Sequence, residues 1–340
     1  MNYERPSFRL PYRQRCGMGV FLFFIGLLWL FAVGQIQAQG LTVMTYNCEN
    51  AFDTIHDEGK RDEEYLPEGT RHWTRHRMYE KLKNIGKVIV AADTLRPIDL
   101  IGLEEVENDT VLTYLTRRTA LSALGYEYLM TQSPDQRGID VALLYNPLMF
   151  RPIHHDCIRI DTSRPTRDVL HVCGITGRNP VDTLDIYVVH LPSKLGGATG
   201  EQNRRKVVDA ITASTDSVFA VRPAAKILIM GDFNDGPTSE LLQTSFRRFR
   251  NLATEYSSKG EGSYKYQGDW DTIDQMLISE GLINPSGGGL RFHEAKVLLL
   301  PFLVETDAEY GGRKPNRTFE GYNYHGGFSD HLPVVMKLKK

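Results

Sequence analysis

Four apolar runs in the middle of the chain fall into two close pairs. Residues 126–131 are followed by 139–145, and 169–175 by 184–190. The links inside each pair are too short for the crossover that parallel neighbours require, so each pair must lie antiparallel. Around them, strand and helix patterns alternate. Residues 41–46 alternate in polarity and read as a first strand. Met78, Leu82, Ile85, Val88, Ile89 and Ala92 recur at helical spacing, which predicts an amphipathic helix over 73–95. Residues 98–103, 226–230, 272–279 and 332–338 read as further strands. Asp109 reads as the cap of a second helix ended by Gly125, and 199–220 as a polar, basic helix stopped near Pro223. Alternation of this kind says α/β. The antiparallel pairs within it say that the sheets are mixed. No Pro/Ser/Gly-rich linker divides 39–340, so one domain is expected.

Residues 1–38 carry a different pattern. Arg5, Arg9, Arg13 and Arg15 face a single acid, Glu4, and an apolar run over 17–34 follows them. Ala38 then sits among glutamines. A basic stretch, an apolar stretch and a small residue at a polar exit describe a signal peptide. The run is also nearly long enough to span a bilayer, so an uncleaved N-terminal anchor is the competing reading. Both readings make the protein exported: periplasmic, cell-surface or extracellular.

The whole chain has 40 Lys and Arg against 42 Asp and Glu, with 41% hydrophobic and 24% charged residues. These values exclude a disordered, collagen-like or disulfide-framework protein. The near balance argues against a protein that stays coated on nucleic acid. Beyond residue 38 three cysteines remain, Cys48, Cys157 and Cys173. An odd number cannot pair completely. Export permits a disulfide, and Cys157 with Cys173 could close two neighbouring strands. Cys48 reads as a buried free thiol. No Cys/His cluster has zinc spacing.

Polar residues recur at the ends of the apolar strands. Asn47 follows the first and Glu104-Glu105 the second. His190 ends 186–189, and Gly231-Asp232-Phe233-Asn234-Asp235 ends 227–230. Asp274 sits inside 272–277, and Ser329-Asp330-His331 opens the last strand. Any one of these, alone, is an ordinary turn or helix cap. Six in this order are not explained by capping.

The ordered set resembles the endonuclease/exonuclease/phosphatase superfamily, which includes pancreatic deoxyribonuclease, abasic-site endonucleases and bacterial sphingomyelinase. The resemblance covers about 41–338. Its most specific matches are Thr45-Tyr46-Asn47, Leu103-Glu104-Glu105-Val106, Gly231-Asp232-Phe233-Asn234 and Ser329-Asp330-His331-Leu332-Pro333. It implies a four-layer α/β/β/α sandwich of two packed mixed β-sheets flanked by helices. It also implies a metal-dependent phosphoester hydrolase.

Carboxylates and a carboxamide without thiols suit a hard cation, so Mg²⁺ is expected, with Mn²⁺ or Ca²⁺ as alternatives. By resemblance Glu105 is the principal metal ligand, with Asn47 beside it and Asp330 as a further metal-side carboxylate. Glu104 stands where many relatives carry Gln; an acid there either deepens the negative potential or points away. Asp232 would orient and deprotonate the attacking water, and Asn234 would hold phosphate and nucleophile in register. His331 would face the scissile phosphate, with Asp274 fixing its tautomer. His190 would donate to the phosphate or leaving group, with Asp140 as its orienting acid.

The expected reaction is in-line hydrolysis of DNA or RNA by a monomer without an obligate protein partner. Tyr264, Tyr266 and Trp270 could stack bases or anchor a loop. Arg204 and Arg205 either touch a phosphate backbone or are surface positions. The acids of 41–70 read as a solvated face. A phospholipid or sphingolipid phosphodiesterase is the alternative within the fold. It would need an apolar docking hairpin at 298–303, which reads more simply as a buried strand. A non-catalytic binding protein is the third reading, and the intact polar set argues against it.

Overall fold

The computed structural model describes Gly40–Lys340 apart from Ser163, residues 178–180 and Gly287. The leader-like residues 1–38 lie outside the described residues. Twelve strands build two six-stranded sheets. They are β1 (Thr42–Ala51), β2 (Leu100–Val106), β3 (Glu127–Met130), β4 (Asp140–Tyr145), β5 (Phe150–Ile158) and β6 (Val169–Thr176). Then come β7 (Asp182–His190), β8 (Lys226–Asp232), β9 (Phe249–Asn251), β10 (Asp274–Ser279), β11 (Arg291–Val297) and β12 (Val334–Lys339). The first sheet has the order β11-β12-β1-β2-β4-β3, the second β5-β6-β7-β8-β10-β9.

Each sheet holds one parallel pair, β1 with β2 and β7 with β8; the other neighbours are antiparallel. The reason is the connection. Helix α1 (Arg75–Ala92) carries the chain from β1 to β2, and α3 (Gly197–Val221) from β7 to β8. The short links β3–β4 and β6–β7 give antiparallel neighbours. Helix α1 and α2 (Asp109–Arg118) cover the outer face of the first sheet, and α3 covers the second. The inner faces meet in a core containing Val43, Leu100, Val188, Leu228, Met230, Met276 and Ile278. This is the four-layer sandwich.

Strand alternation assigns each face. Leu100 faces inward, whereas Ile101 and Leu103 pack under the first sheet's helices. Gly102 also faces inward, where Met230 and Val188 of the other sheet lie against it. The same period runs through β8, with Leu228 and Met230 inward and Ile227 and Ile229 toward α3. Continued by one step, these inward rows end on Asn47, Glu104, His190 and Asp232, and Asp274 begins the row of Met276 and Ile278. The polar cluster is therefore the end of the inter-sheet core.

Several local expectations are corrected. Asn108, not Asp109, caps α2: its side chain accepts from Val111 N, and the helix ends at Thr119, before Gly125. A 3₁₀ turn at Ala120–Ala123 fills the gap. Strands β5 and β11 had no sequence signal strong enough to predict them; both are edge strands with largely exposed side chains. Residues 298–303 are not a strand. They form an irregular stretch closed by the 3₁₀ turn Pro301–Leu303. Cys157 pairs in register with Leu170, and Cys173 with His154, so the two thiols are not opposite one another and are free. The acids of 41–70 are not one solvated face either: Glu49, Asp53 and Asp62 are buried.

Met230 is completely buried where the sheets touch. Met230→Ala is expected to cost about 2–5 kcal/mol of stability, read as a lower urea midpoint at unchanged slope.

Candidate active site

Three neighbouring strands of the second sheet set one row of the site. His190 on β7, Asp232 on β8 and Asp274 on β10 lie side by side in register. Gly231 makes the approach possible. It has φ 142°, and a Cβ there would lie 1.9 Å from the Val189 carbonyl oxygen. The first sheet supplies Asn47 and the Glu104-Glu105 pair. The β2–β4 register shifts between Glu104 and Val106, and Glu105 takes φ 60°. This bulge keeps Glu104 on the inward face and turns Glu105 out of the alternation. Asn234 likewise has φ 48°. Left-handed backbone at two bulky positions costs about 1–3 kcal/mol each and is held by its surroundings.

Asp232 is the hub. Its Oδ2 accepts from Asn47 Nδ2 at 3.1 Å and Asn234 Nδ2 at 3.2 Å, and its Oδ1 accepts from Asn234 N at 2.7 Å. His190 Nε2 lies 3.6 Å and His331 Nε2 4.0 Å from Oδ2. Burial pushes the Asp232 carboxyl up to about 7, against the pull of the His331 charge.

His331 Nδ1 donates to Asp274 Oδ2 at 2.7 Å. Burial opposes the imidazolium charge, but the carboxylate of Asp274, helped by Asp330 and Asp232, holds the His331 pKa well above its ordinary value. Asp274 is anchored through its backbone, N–H to Ser263 Oγ and carbonyl to Tyr256 OH. Ser329 Oγ donates to the Asn47 carbonyl and accepts from His331 N. That one hydroxyl ties the His331 turn to β1.

His190 behaves oppositely. Burial, reinforced by Arg167, Arg137 and His331, drives its pKa well below the ordinary value, so the ring is neutral. Its Nδ1 is buried without a hydrogen-bond partner. Asp140 does not orient it: that carboxylate accepts from Thr131 Oγ1 and Ser133 N instead. Val141 and Leu143 take the inward face of β4, so Asp140 lies on the other side of the strand and bonds within its own hairpin. Arg167 does the positioning, donating to the carbonyls of His190 and Leu191.

Glu105 Oε2 accepts from Asn50 N at 2.9 Å, with Arg137 3.7 Å away. Its Oε1 faces His190 Nε2 at 3.9 Å and accepts no hydrogen bond among the described residues. Asn47 Oδ1 accepts from Glu49 N. Asp330 Oδ2 accepts from Arg317 Nη2 at 2.9 Å, and Arg317 Nε donates to Glu49. Among the described residues, the three His or acid side chains that converge within 4.8 Å are Asp232, Asp274 and His331; Glu105 and Asp330 do not join them. That trio is a poor cation site, because its histidine is an imidazolium hydrogen-bonded to one of the acids. Glu105 keeps one oxygen free, and a free carboxylate oxygen is the kind of donor a hard divalent ion takes.

Glu104 neither deepens the potential nor points away from the site. It is fully buried, accepts from Thr45 Oγ1 at 2.8 Å, and leaves Oε2 without a partner. Burial, then the charges of Asp274 and Asp232, raise its pKa well above the carboxylate range, so it is neutral. Arg204 is buried and donates to the Pro192 carbonyl, bracing the turn after His190 rather than meeting a substrate; Arg205 is exposed. Tyr264 stands over His331 with ring centroids 4.9 Å apart, whereas Trp270 packs against the outer core of the first sheet. Arg167, Arg317 and Glu49 have roles that no motif announced, since each acts across a long sequence separation.

The model of the endonuclease/exonuclease/phosphatase family matches residues 42–340. The chain belongs to this family. Its members are metal-dependent phosphoester hydrolases, and that is the class of enzyme here. Similar solved structures include a family member from Bacteroides thetaiotaomicron, at 15% identity and TM-score 0.56, covering 89% of this chain and 98% of that one. TDP2 of D. rerio, complexed with a single-strand DNA product, matches at 12% and 0.55, covering 88% and 99%. The mannosyl-6-phosphatase Bt3783 of B. thetaiotaomicron matches at 15% and 0.54, covering 88% and 100%. At these identities the likeness is one of fold. No curated protein matches the chain in sequence.

Removing the Asp274 charge removes the chief support of the His331 imidazolium. Asp274→Asn is expected to move the His331 titration to lower pH, followed by ¹⁵N NMR of the ring. The sign for folding follows. A raised folded pKa stabilises the protein fully below the unfolded value of about 6.5, and this is lost as pH rises through the folded pKa.

Proposed function

We propose that this chain is an exported, Mg²⁺-dependent phosphodiesterase that hydrolyses nucleic acid by in-line attack of water. The observation that carries the mechanism is the Asp232 hub, a carboxylate with its pKa near 7 held between two amides and two imidazoles of opposite charge state. A base poised near neutral pH is suited to take a proton from water. Asn234 and Asn47 fix which oxygen of Asp232 faces the nucleophile. His331, kept charged by Asp274, supplies a proton donor and a positive charge to the non-bridging oxygens of the phosphate. Neutral His190 contributes a ring nitrogen between Asp232 and Glu105 without adding charge.

Glu105, with Asn47 and Asp330, would hold the divalent ion. When bound, the ion supplies charge neutralisation at the phosphate and at the leaving oxygen. Arg317 keeps one oxygen of Asp330 occupied and so limits it to a single free oxygen.

The lipid-directed alternative needs an exposed apolar hairpin. Residues 298–303 do not supply it: Leu298 and Leu303 are buried, and Phe302 lies under Lys87 at 4.3 Å. Leu299 is the largely exposed one. Export rests on the basic, apolar and small-residue pattern of 1–38.

The test is hydrolysis of plasmid DNA, RNA and sphingomyelin side by side in Mg²⁺, with and without chelator. Chelator-sensitive cleavage of nucleic acid is expected, and Asp232→Asn and His331→Ala should each lower kcat by about 10²–10⁴-fold. Glu105→Gln should move the Mg²⁺ titration to higher concentration. Cleavage of the lipid alone would overturn the substrate, and full activity in His331→Ala would overturn the mechanism.

A further inference from the structure

A small hairpin, Tyr264–Tyr266 paired with Asp269–Asp271, stands beside His331. Its two-residue turn has Gln267 at φ 49° and Gly268 at φ 95°, the paired positive angles of a tight hairpin turn. Alternation puts Tyr264 and Tyr266 on one face and Lys265 on the other. The Lys265 side is anchored, with Nζ 2.7 Å from Asp307 Oδ2 and donating to the Gly311 carbonyl. The root is anchored as well, since Leu332 N donates to the Ser263 carbonyl. The other face carries Tyr264 and Tyr266 with their cross-strand partners Asp271 and Asp269, and both acids are exposed. Tyr264 is half-buried over His331 and within electrostatic range of Asp330, Arg317 and Asp232. Tyr266 follows one strand repeat outward and is 53% exposed. Tyr310, in the loop that holds Lys265, backs the turn, where a Cβ on Gly268 would lie 3.1 Å from its own.

We propose that Tyr264 and Tyr266 form a stacking lip that receives the unpaired bases of a single-stranded polynucleotide and leads its backbone to His331. This rests on the phosphodiesterase reading and narrows its substrate. A lone sugar phosphate at His331 would reach Tyr264 but not the next ring, about 7 Å farther along the strand. A lip that continues to Tyr266 fits a repeating ligand. Bases inside a duplex show no free face to a tyrosine, so the repeat is single-stranded. With 40 basic against 42 acidic residues the chain has little general attraction for phosphate, and stacking supplies affinity that charge does not.

The experiment compares a base-bearing single-stranded 20-mer, the same strand with every base replaced by tetrahydrofuran, and a duplex, using the whole chain in Mg²⁺. Base stacking is worth about 5- to 100-fold per base. The expected result is a kcat/KM for the base-bearing strand at least about 10-fold above both others. Tyr266→Ala should bring the base-bearing to abasic ratio toward one, through KM. Tyr266→Phe should restore it, since the ring and not the hydroxyl stacks. Equal cleavage of base-bearing and abasic strands by the unmutated protein would overturn the lip, as would loss of both activities in parallel or a preference for duplex. Fluorescence anisotropy in EDTA separates the two readings. No cleavage of any strand, with tighter and Tyr266-dependent binding of the base-bearing one, would keep the lip and overturn the hydrolysis. Equal binding of base-bearing and abasic strands would overturn the lip. Hydrolysis of mannose 6-phosphate alone, unaffected by Tyr266→Ala, would also overturn it.

Discussion

A carboxylate removed from water governs this molecule. Asp232 is 2% exposed and would be costly to bury if it were not hydrogen-bonded. Two asparagines satisfy it, one from each sheet: Asn47 from β1 and Asn234 from the turn after β8. The same arrangement that makes the buried charge tolerable locks the two sheets in one register at this end. The site and the sandwich are therefore stabilised by the same contacts. Loss of the inter-sheet packing would separate Asn47 from Asp232 as surely as a substitution.

Environment then divides the two histidines. Both are buried, and burial alone would neutralise both. His331 has Asp274 at 2.7 Å and stays charged. His190 has arginines nearby and an unpartnered Nδ1, and is neutral. One imidazolium and one imidazole beside a carboxyl whose pKa is pushed up to about 7 is an asymmetric set. Glu104 takes no part in this charge balance despite its place in the motif, because full burial keeps its proton on. The backbone turn at Glu105 separates the two neighbouring acids, Glu104 on the inward row near Asp274 and Asp232 and Glu105 beside His190.

Much of this was legible in the chain. Asn47, His190, Asp232 and Asp274 terminate inward-facing stripes of period two, a pattern visible as polar residues closing apolar runs. What was not legible depended on contacts across long separations. Asp140 sits in a polar motif like the others, yet its strand points it into its own hairpin. Cys157 and Cys173 lie on adjacent strands, but the register sets each opposite another residue. Arg317 and Arg167, which hold Asp330 and His190, are single cations in loops with no periodic signal around them. The edge strand β5 is exposed along most of its length, and a register shift between Phe292 and Glu294 breaks the alternation of β11.

The amino-acid sequence determined the elements, their pairing sense and the chemistry available. Short links force antiparallel neighbours, helical links permit parallel ones, oxygen donors suit a hard cation, and the ordered motifs carry the resemblance that implies phosphoester chemistry. Tertiary structure decided which of those residues meet. Only the packing of two sheets puts strand ends 185 residues apart, Asn47 and Asp232, within a hydrogen bond. Only burial decides which acids and imidazoles are charged. Spacing along a chain carries period and polarity, but the distance and desolvation that set a proton's position exist only once the sheets have closed.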